Sequence, residues 1–319
     1  MDPRTLPVVA VVGPTATGKS DLGLALAEAL DGEVVNADAY QLYRGMDIGT
    51  AKLTVAERRG VPHHQLDVLD VTEDASVARY QTAARADLDT IAAAGHRAVV
   101  VGGSGLYVRA LLDRMTFQGT DAAVRTALED RAERHGTRAL HDELATLDPA
   151  AAIAIGPHNT RRIVRALEVI TLTGRPYTAT LPEQVYVRPA LQIGLDCDRD
   201  ELDARAQVRV DRMWEAGLVE EVLGLLAHGM SRTAARAVGY AEIVEHLRGE
   251  TSLDEARDRI VVHTRRLARK QMGWFGRDPR VHWLDARDPA LVEEALALVA
   301  AADAGRLDDA RSPRRSLGS

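Results

Sequence analysis

Gly13-Pro14-Thr15-Ala16-Thr17-Gly18-Lys19-Ser20 places a glycine, four residues, a second glycine, a lysine and a hydroxyl residue in the order of a phosphate-binding P-loop. Each position has a physical task. The glycines let backbone N–H groups converge on phosphate oxygens at the start of a helix, Lys19 brings a mobile positive charge, and the Ser20 hydroxyl is placed to hold Mg2+. The loop lysine is not background usage, because the chain has three lysines, Lys19, Lys52 and Lys270, against 37 arginines. Such a cradle accepts diphosphates as well as triphosphates, so the pattern implies a phosphate ligand and leaves open whether it is a nucleotide such as ATP. The usual nucleotide signatures are thin. Residues 99–101 run into Gly102-Gly103-Ser104 with no carboxylate of the Walker-B kind, and no Asn-Lys-x-Asp guanine motif occurs.

Asp38 is the second candidate, directly after Val34-Val35-Asn36-Ala37. Ligands of open α/β sheets bind beyond the carboxyl ends of the strands, so a carboxylate there should face the phosphate loop. The competing use of such an Asp is a turn cap. His63-His64 lacks further ligands at metal-site spacing and reads as structural. Cys197, the single cysteine, excludes an internal disulfide.

The elements that must hold these groups follow from periodicity. Residues 8–12 are apolar and β-branched and end at Gly13; residues 21–30 follow with apolar positions Leu22, Leu26 and Leu30 at helical spacing. This predicts strand, glycine loop, helix. A second strand is predicted at 33–37, a helix over 76–94 closed by Gly95, and a third strand at 98–101. Strands alternating with helices imply an α/β fold, a P-loop-type parallel sheet flanked by helices. Beyond Met115 strand signals fade. Residues 121–147 and 159–173 read as helices, with short strand candidates near Val185 and at 191–195. Residues 116–189 are therefore expected to be a mainly helical inserted domain, and residues 1–115 with 190–302 the catalytic domain. Helical periodicity fills 201–301, and the polar residues 303–319 read as a disordered tail.

Composition is that of an ordinary globular chain, 46% hydrophobic and 27% charged over 319 residues. No apolar run approaches the ~20 residues of a membrane span, and residues 1–7 lack the features of a signal peptide, so a cytoplasmic protein is expected. The net charge of −7 repels a polyanion if evenly spread, so any RNA site must be local. Between Arg257 and Arg280 the sign reverses, with eight basic residues against Asp258 and Asp278. A helical projection puts Ile260, Leu267 and Trp274 on one face and Arg265, Arg266, Arg269 and Lys270 on the other. Such a stripe is either a solvated face or a phosphate-contacting one.

The stretch from Asn36 through Asp38-Ala39-Tyr40-Gln41-Leu42-Tyr43-Arg44-Gly45-Met46-Asp47-Ile48-Gly49-Thr50-Ala51 to Lys52 strongly resembles the signature that follows the P-loop in tRNA dimethylallyltransferases. Further blocks resemble the family in the right order: Pro62-His63-His64, Gly102-Gly103-Ser104-Gly105-Leu106-Tyr107, Arg162 with Arg165-Ala166-Leu167-Glu168, Val238-Gly239-Tyr240, and Thr264-Arg265-Arg266 leading to Lys270-Gln271. The resemblance implies that Gly13 to Ser20 binds dimethylallyl diphosphate with Mg2+, that Asp38 is the base acting on an adenine amine, and that Lys19 and Ser104 stand at the reacting centre. Ser104 occupies a position that is usually threonine in the family. Arg205 and Arg209 match an arginine pair resembling a diphosphate clamp, although arginines four apart also make a solvated helix face.

The resemblance further implies a tRNA anticodon stem-loop as partner, with adenosine 37 of tRNAs reading codons that begin with U turned outward into the pocket. On this likeness the tRNA-contacting residues are Asp38, Ala39, Tyr40, Gln41, Ser104, Arg125, Arg161, Arg162, Arg165, Val238, Gly239, Tyr240, Arg265, Arg269 and Lys270. Thr160 departs from the usual Asp, which bears on local capping. Tyr40, Tyr107 and Tyr240 are the candidate stacking partners, and a monomer that meets no membrane is expected. A P-loop small-molecule or nucleoside kinase, or a nucleotide-binding regulatory switch, remains the alternative that the loop alone allows.

Overall fold

The computed structural model describes residues 6–117, 119–180 and 184–307. The apolar run Val8–Val12 forms β1 and is buried throughout, as a strand covered on both faces of a parallel sheet must be. Then come α1 (Lys19–Ala29), β2 (Gly32–Asn36), β3 (His63–His64), α2 (Val77–Ala94), β4 (Arg97–Val101) and α3 (Gly105–Leu112). Helices α4 (Ala122–Leu147), α5 (Pro149–Ile155) and α6 (Thr160–Thr173) follow. The chain continues through β5 (Ala190–Asp196), α7 (Arg199–Glu215), α8 (Leu218–His228), α9 (Tyr240–Leu247), α10 (Leu253–Phe275), β6 (Val281–Asp285) and α11 (Leu291–Asp303).

All six strands are parallel, in the order β3-β2-β4-β1-β5-β6. Central β1 pairs with β4 on one side and β5 on the other, and β2 lies beyond β4, so the carboxyl ends of β1, β2 and β4 open along one edge. Side-chain alternation makes two apolar layers. Val8, Ala10, Val12, Val35 and Val100 pack with Tyr80, Leu88 and Ile91 of α2, and with Ile243, Ile260 and Phe275. Val9, Val11, Val34, Val99 and Ile193 pack against Leu22 and Leu26 of α1 and Ala295 and Val299 of α11. The helix predicted at 76–94 runs Val77–Ala94, with Ser76 just outside it as the cap. The Ser76 side chain accepts from the Arg79 N–H, and Gly95 closes the helix in the left-handed conformation.

Two units are separable, one running to Leu112 and again from Tyr186, the other Asp113–Val185. The second has its own apolar core, with Leu128, Leu140, Leu144, Ile163 and Leu167 at its centre. Val185 lies in no strand, unlike its sequence-based expectation. The single helix expected over 121–147 is broken at Gly136, whose φ of 79° and ψ of 156° are not helical. Asn159 caps α6 by accepting from the Arg162 N–H, so Thr160 is free of that task and instead pairs its hydroxyl with Thr137 at 2.6 Å.

β3 and β6 are absent from the sequence-based expectation. β3 is two residues long and polar, and β6 is an edge strand with only Val281 buried, so neither carries a period-2 apolar signal. Asp303, expected to open the disordered tail, instead ends α11 and accepts from Arg97 at 2.6 Å. The rest of the expected tail beyond residue 307 lies outside the described residues. Among the described residues no helix is long and apolar enough to cross a membrane.

Candidate active site

The loop after β1 is shaped by its glycines. Gly13 has φ of 134°, and a Cβ there would come within 2.9 Å of the Leu195 carbonyl oxygen on β5, so no larger residue fits. Gly18, at φ 85°, precedes α1 as a cap with no side chain, which leaves the first N–H groups of the helix for an anion. Lys19 folds back over the loop and donates to the Pro14 carbonyl at 2.6 Å, and Thr17 donates to the same oxygen at 2.8 Å. Burial first and neighbouring Arg209 second bring the Lys19 pKa down to about 7, against the opposing pull of Asp38. An incoming phosphate favours the charged form of this lysine. Ser20 lines a small pocket with Asn36, Gln41 and His63.

Asp38 follows β2 at the same edge. Gly102 lets the ends of β2 and β4 approach, since a Cβ there would lie 2.4 Å from the Ala37 carbonyl. The Ser104 hydroxyl accepts from the Ala39 N–H at 3.1 Å, and the Ser104 N–H donates to Ala37 at 3.3 Å. Buried Asn36 grips Asp38 from both sides, accepting from its N–H at 2.9 Å and donating to its carbonyl at 3.0 Å. One Asp38 carboxylate oxygen accepts from the Tyr40 N–H at 3.0 Å. The turn-cap use therefore exists, yet it engages one oxygen, and the charge of Asp38 is felt by both Lys19 and Arg209.

The two arginines of α7 take different directions. Arg209 donates to the Thr50 carbonyl at 3.0 Å, and its partners place it with Lys19 and Asp38. Arg205 donates to Glu201 at 2.7 Å on its own helix. The structure thus gathers Asp38, Lys19, Ser104, Arg209 and the loop N–H groups, while Arg205 is engaged by Glu201 in a half-buried pair.

Among the residues expected to meet RNA, Tyr40 is half-buried, Ala39 is the Ser104 donor, and Gln41 donates to the Thr50 carbonyl at 3.2 Å. Tyr240 is fully buried, so stacking on a base is not open to it. Its hydroxyl donates to Glu221, whose oxygens also accept from the N–H groups of Asp47, Ile48 and Gly49, so Tyr240 walls the loop that carries Thr50. The adjacent Gly239 caps α9 at φ 96°, following Val238. Tyr107 is buried against Tyr80, with ring centroids 4.8 Å apart, and is likewise closed to a base.

In the second unit Arg125 and Arg165 donate to Glu168 at 2.6 and 2.8 Å. Glu168 is fully buried; burial alone would raise its pKa, and the two arginines hold it below the ordinary carboxylate value. Arg161 and Arg162 are exposed. On α10 the buried side is Ile260, Thr264, Ala268, Gln271, Met272 and Phe275, rotated away from the projected line. Leu267 is half-buried, and Trp274 is 42% exposed while lying against Gly105. Arg266, Arg269 and Lys270 are exposed, whereas Arg265 donates to the Asp203 carbonyl at 3.3 Å. His64 pairs with Glu33 at 2.6 Å, consistent with a structural pair, and no cluster of three His, Cys, Asp or Glu suited to a metal occurs among the described residues.

Sequence reasoning passed over Asn36, Glu221 and Gln271. Asn36 and Gln271 stand inside blocks that resemble the family, which was the available signal. Glu221 had none, because the loop N–H groups it receives lie 172 to 174 residues away.

A parallel α/β sheet flanked by helices thus carries a carboxylate, a lysine and an arginine near one another at its carboxyl edge, beside a helix start that no side chain caps. The model of the IPP transferase family matches residues 41–278. The tRNA dimethylallyltransferase of Kineococcus radiotolerans is 59% identical over 296 residues, covering 90% of this chain and 93% of the relative. That of Streptomyces coelicolor is 60% identical over 297 residues, covering 92% and 95%. The crystal structure of the tRNA isopentenylpyrophosphate transferase from Bacillus halodurans is 40% identical with a TM-score of 0.68, covering 94% of this chain and 96% of that one. The chain belongs to the IPP transferase family.

Proposed function

We propose that this chain is a tRNA dimethylallyltransferase, moving a dimethylallyl group from its diphosphate onto the N6 amine of adenosine 37 in tRNAs that read codons beginning with U. The observation that carries the reading is the juxtaposition of Asp38 with Lys19 and Arg209 beside the open start of α1. The amine conjugated to the purine ring is a weak nucleophile, and Asp38 takes its proton as the C–N bond forms. The allylic C–O bond breaks and its electron pair leaves with the diphosphate. That developing charge meets Lys19, Arg209 and the N–H groups of residues 13–20. The hydroxyl of Ser20, in the first turn of α1, is the kind of oxygen donor that Mg2+ takes. Ser20 would hold it, and it would neutralise diphosphate charge. A stacked adenine must turn out of the anticodon loop to reach Asp38, and exposed Arg161, Arg162, Arg266, Arg269 and Lys270 are the groups suited to the RNA backbone.

We take the enzyme to act in the cytoplasm as a monomer. The deciding experiment incubates the chain with unmodified tRNA, Mg2+ and labelled dimethylallyl diphosphate, followed by nucleoside analysis. Labelled N6-dimethylallyladenosine with release of diphosphate is expected. ATP-dependent phosphorylation of a small acceptor without prenyl transfer would overturn the reading in favour of a kinase.

A further inference from the structure

Gln271 projects from the buried side of α10 between two loops that belong to different parts of the site. Its side-chain oxygen accepts from the Thr15 N–H at 2.8 Å, inside the phosphate loop. Its side-chain nitrogen donates to the Gly103 carbonyl at 3.1 Å, next to Ser104. A backbone N–H can only donate and a carbonyl can only accept, so the two partners fix which way the amide points. No charged side chain of this length serves both, since a carboxylate has no hydrogen to give and an ammonium has no lone pair. The space is reserved as well. A Cβ at Gly103 would come 2.3 Å from the Gln271 nitrogen, and one at Gly105 would come 2.1 Å from the Trp274 ring, three residues further along α10. Two glycine notches thus receive two side chains of one helix.

The frame continues from Gly103 to the base. Ser104 accepts from the Ala39 N–H and donates its own N–H to Ala37, on either side of Asp38. Thr15 stands at the other end, four residues before Lys19. We propose that Gln271 is a positioning residue for the transfer step, its amide setting the separation between the phosphate loop and the edge carrying Ser104 and Asp38. Built on the prenyl-transfer reading above, this makes Gln271 the part that fixes the line between leaving group and base. Displacing reacting groups by about 1 Å costs on the order of 10² in rate.

Gln271→Met keeps length and apolar packing but loses both hydrogen bonds; Gln271→Glu keeps the acceptor for Thr15 and loses the donor to Gly103. Single-turnover transfer with tRNA and dimethylallyl diphosphate both saturating should fall about 10- to 100-fold in each, while tRNA affinity stays within about threefold. Amide hydrogen exchange in residues 13–18 should quicken about tenfold or more in Gln271→Met and stay near wild type in Gln271→Glu. Should the Met variant not fold, the Glu variant decides by its rate. A saturated rate within about threefold of wild type in a folded variant would overturn the proposal, as would weakened tRNA binding with an unchanged saturated rate. If the wild-type chain itself transfers no dimethylallyl group, the functional reading is what fails. The exchange measurement then decides the frame alone, and unchanged protection in Gln271→Met would refute it.

Discussion

Asp38 has two candidate duties that one substitution separates. Asn keeps its size and its capping ability but cannot accept a proton at neutral pH. If the carboxylate is the base, Asp38→Asn lowers the single-turnover rate by about 10² to 10⁴. Binding of tRNA and donor should persist, because the proposed function assigns the phosphates to residues 13–20 and the RNA to arginines elsewhere. If Asp38 is only the cap for the Tyr40 N–H, transfer by the variant stays near normal. Lys19 offers a second test at the same scale. Its folded pKa of about 7 leaves it largely neutral at pH 8 in the free protein. A bound diphosphate raises that value, so binding at pH 8 should take up roughly one proton, and the uptake should fade as the pH falls below the free value. Calorimetry in two buffers of different ionisation enthalpy reads the uptake, and Lys19→Met should abolish it; equal heats in both buffers for the wild type would exclude the linkage.

At the scale of the element, α10 serves two surfaces at once. Its buried side carries Ile260, Thr264, Ala268 and Gln271, while Arg266 and Lys270 point to solvent. Arg265 is engaged with the Asp203 carbonyl and Arg269 lies 3.9 Å from the Asp203 carboxylate, so Arg266 and Lys270 are the better probes of an RNA backbone. Arg266→Ala with Lys270→Ala should weaken tRNA binding and flatten its dependence on log salt by about 0.7 to 0.9 for each phosphate that is no longer neutralised. An unchanged slope would make the stripe a solvated face. α7 shows the same economy of position, one turn separating Arg209 at the site from Arg205 on its pair with Glu201.

At the scale of the molecule, each of the two units packs apolar side chains of its own. Leu26 is fully buried between α1 and the sheet, and Leu144 is fully buried in the unit Asp113–Val185. Leu-to-Ala at either should cost about 2–5 kcal/mol. Because each unit has its own core, calorimetric unfolding should show separable transitions, with Leu144→Ala lowering one and Leu26→Ala the other. A single transition shifted alike by both would mean that the units unfold together. The charge of −7 belongs to this scale too, since it makes RNA attraction depend on local basic faces.

Features legible in the order of the residues are local or repetitive. The glycine loop between an apolar strand and a helix, the closing Gly95, and the blocks that resemble a known family all lie within short stretches, where backbone sterics and helical or strand period act directly. Which polar groups meet is settled by tertiary packing alone. Arg205 and Arg209 have the same residue type one turn apart, and their difference is set by Glu201 and by Thr50, 159 residues from Arg209. Nothing near Tyr240 in the chain reveals that the loop 47–49 and Glu221 close over it and shut it off from a base. The edge strands β3 and β6 exist because neighbours offer them a ladder, with almost no apolar period of their own. Gln271 meets Thr15 across 256 residues of chain. Its role depends on where a half-buried N–H and a buried carbonyl come to lie together, and polar groups in a packed interior are satisfied by whatever the fold brings near, which no local pattern encodes.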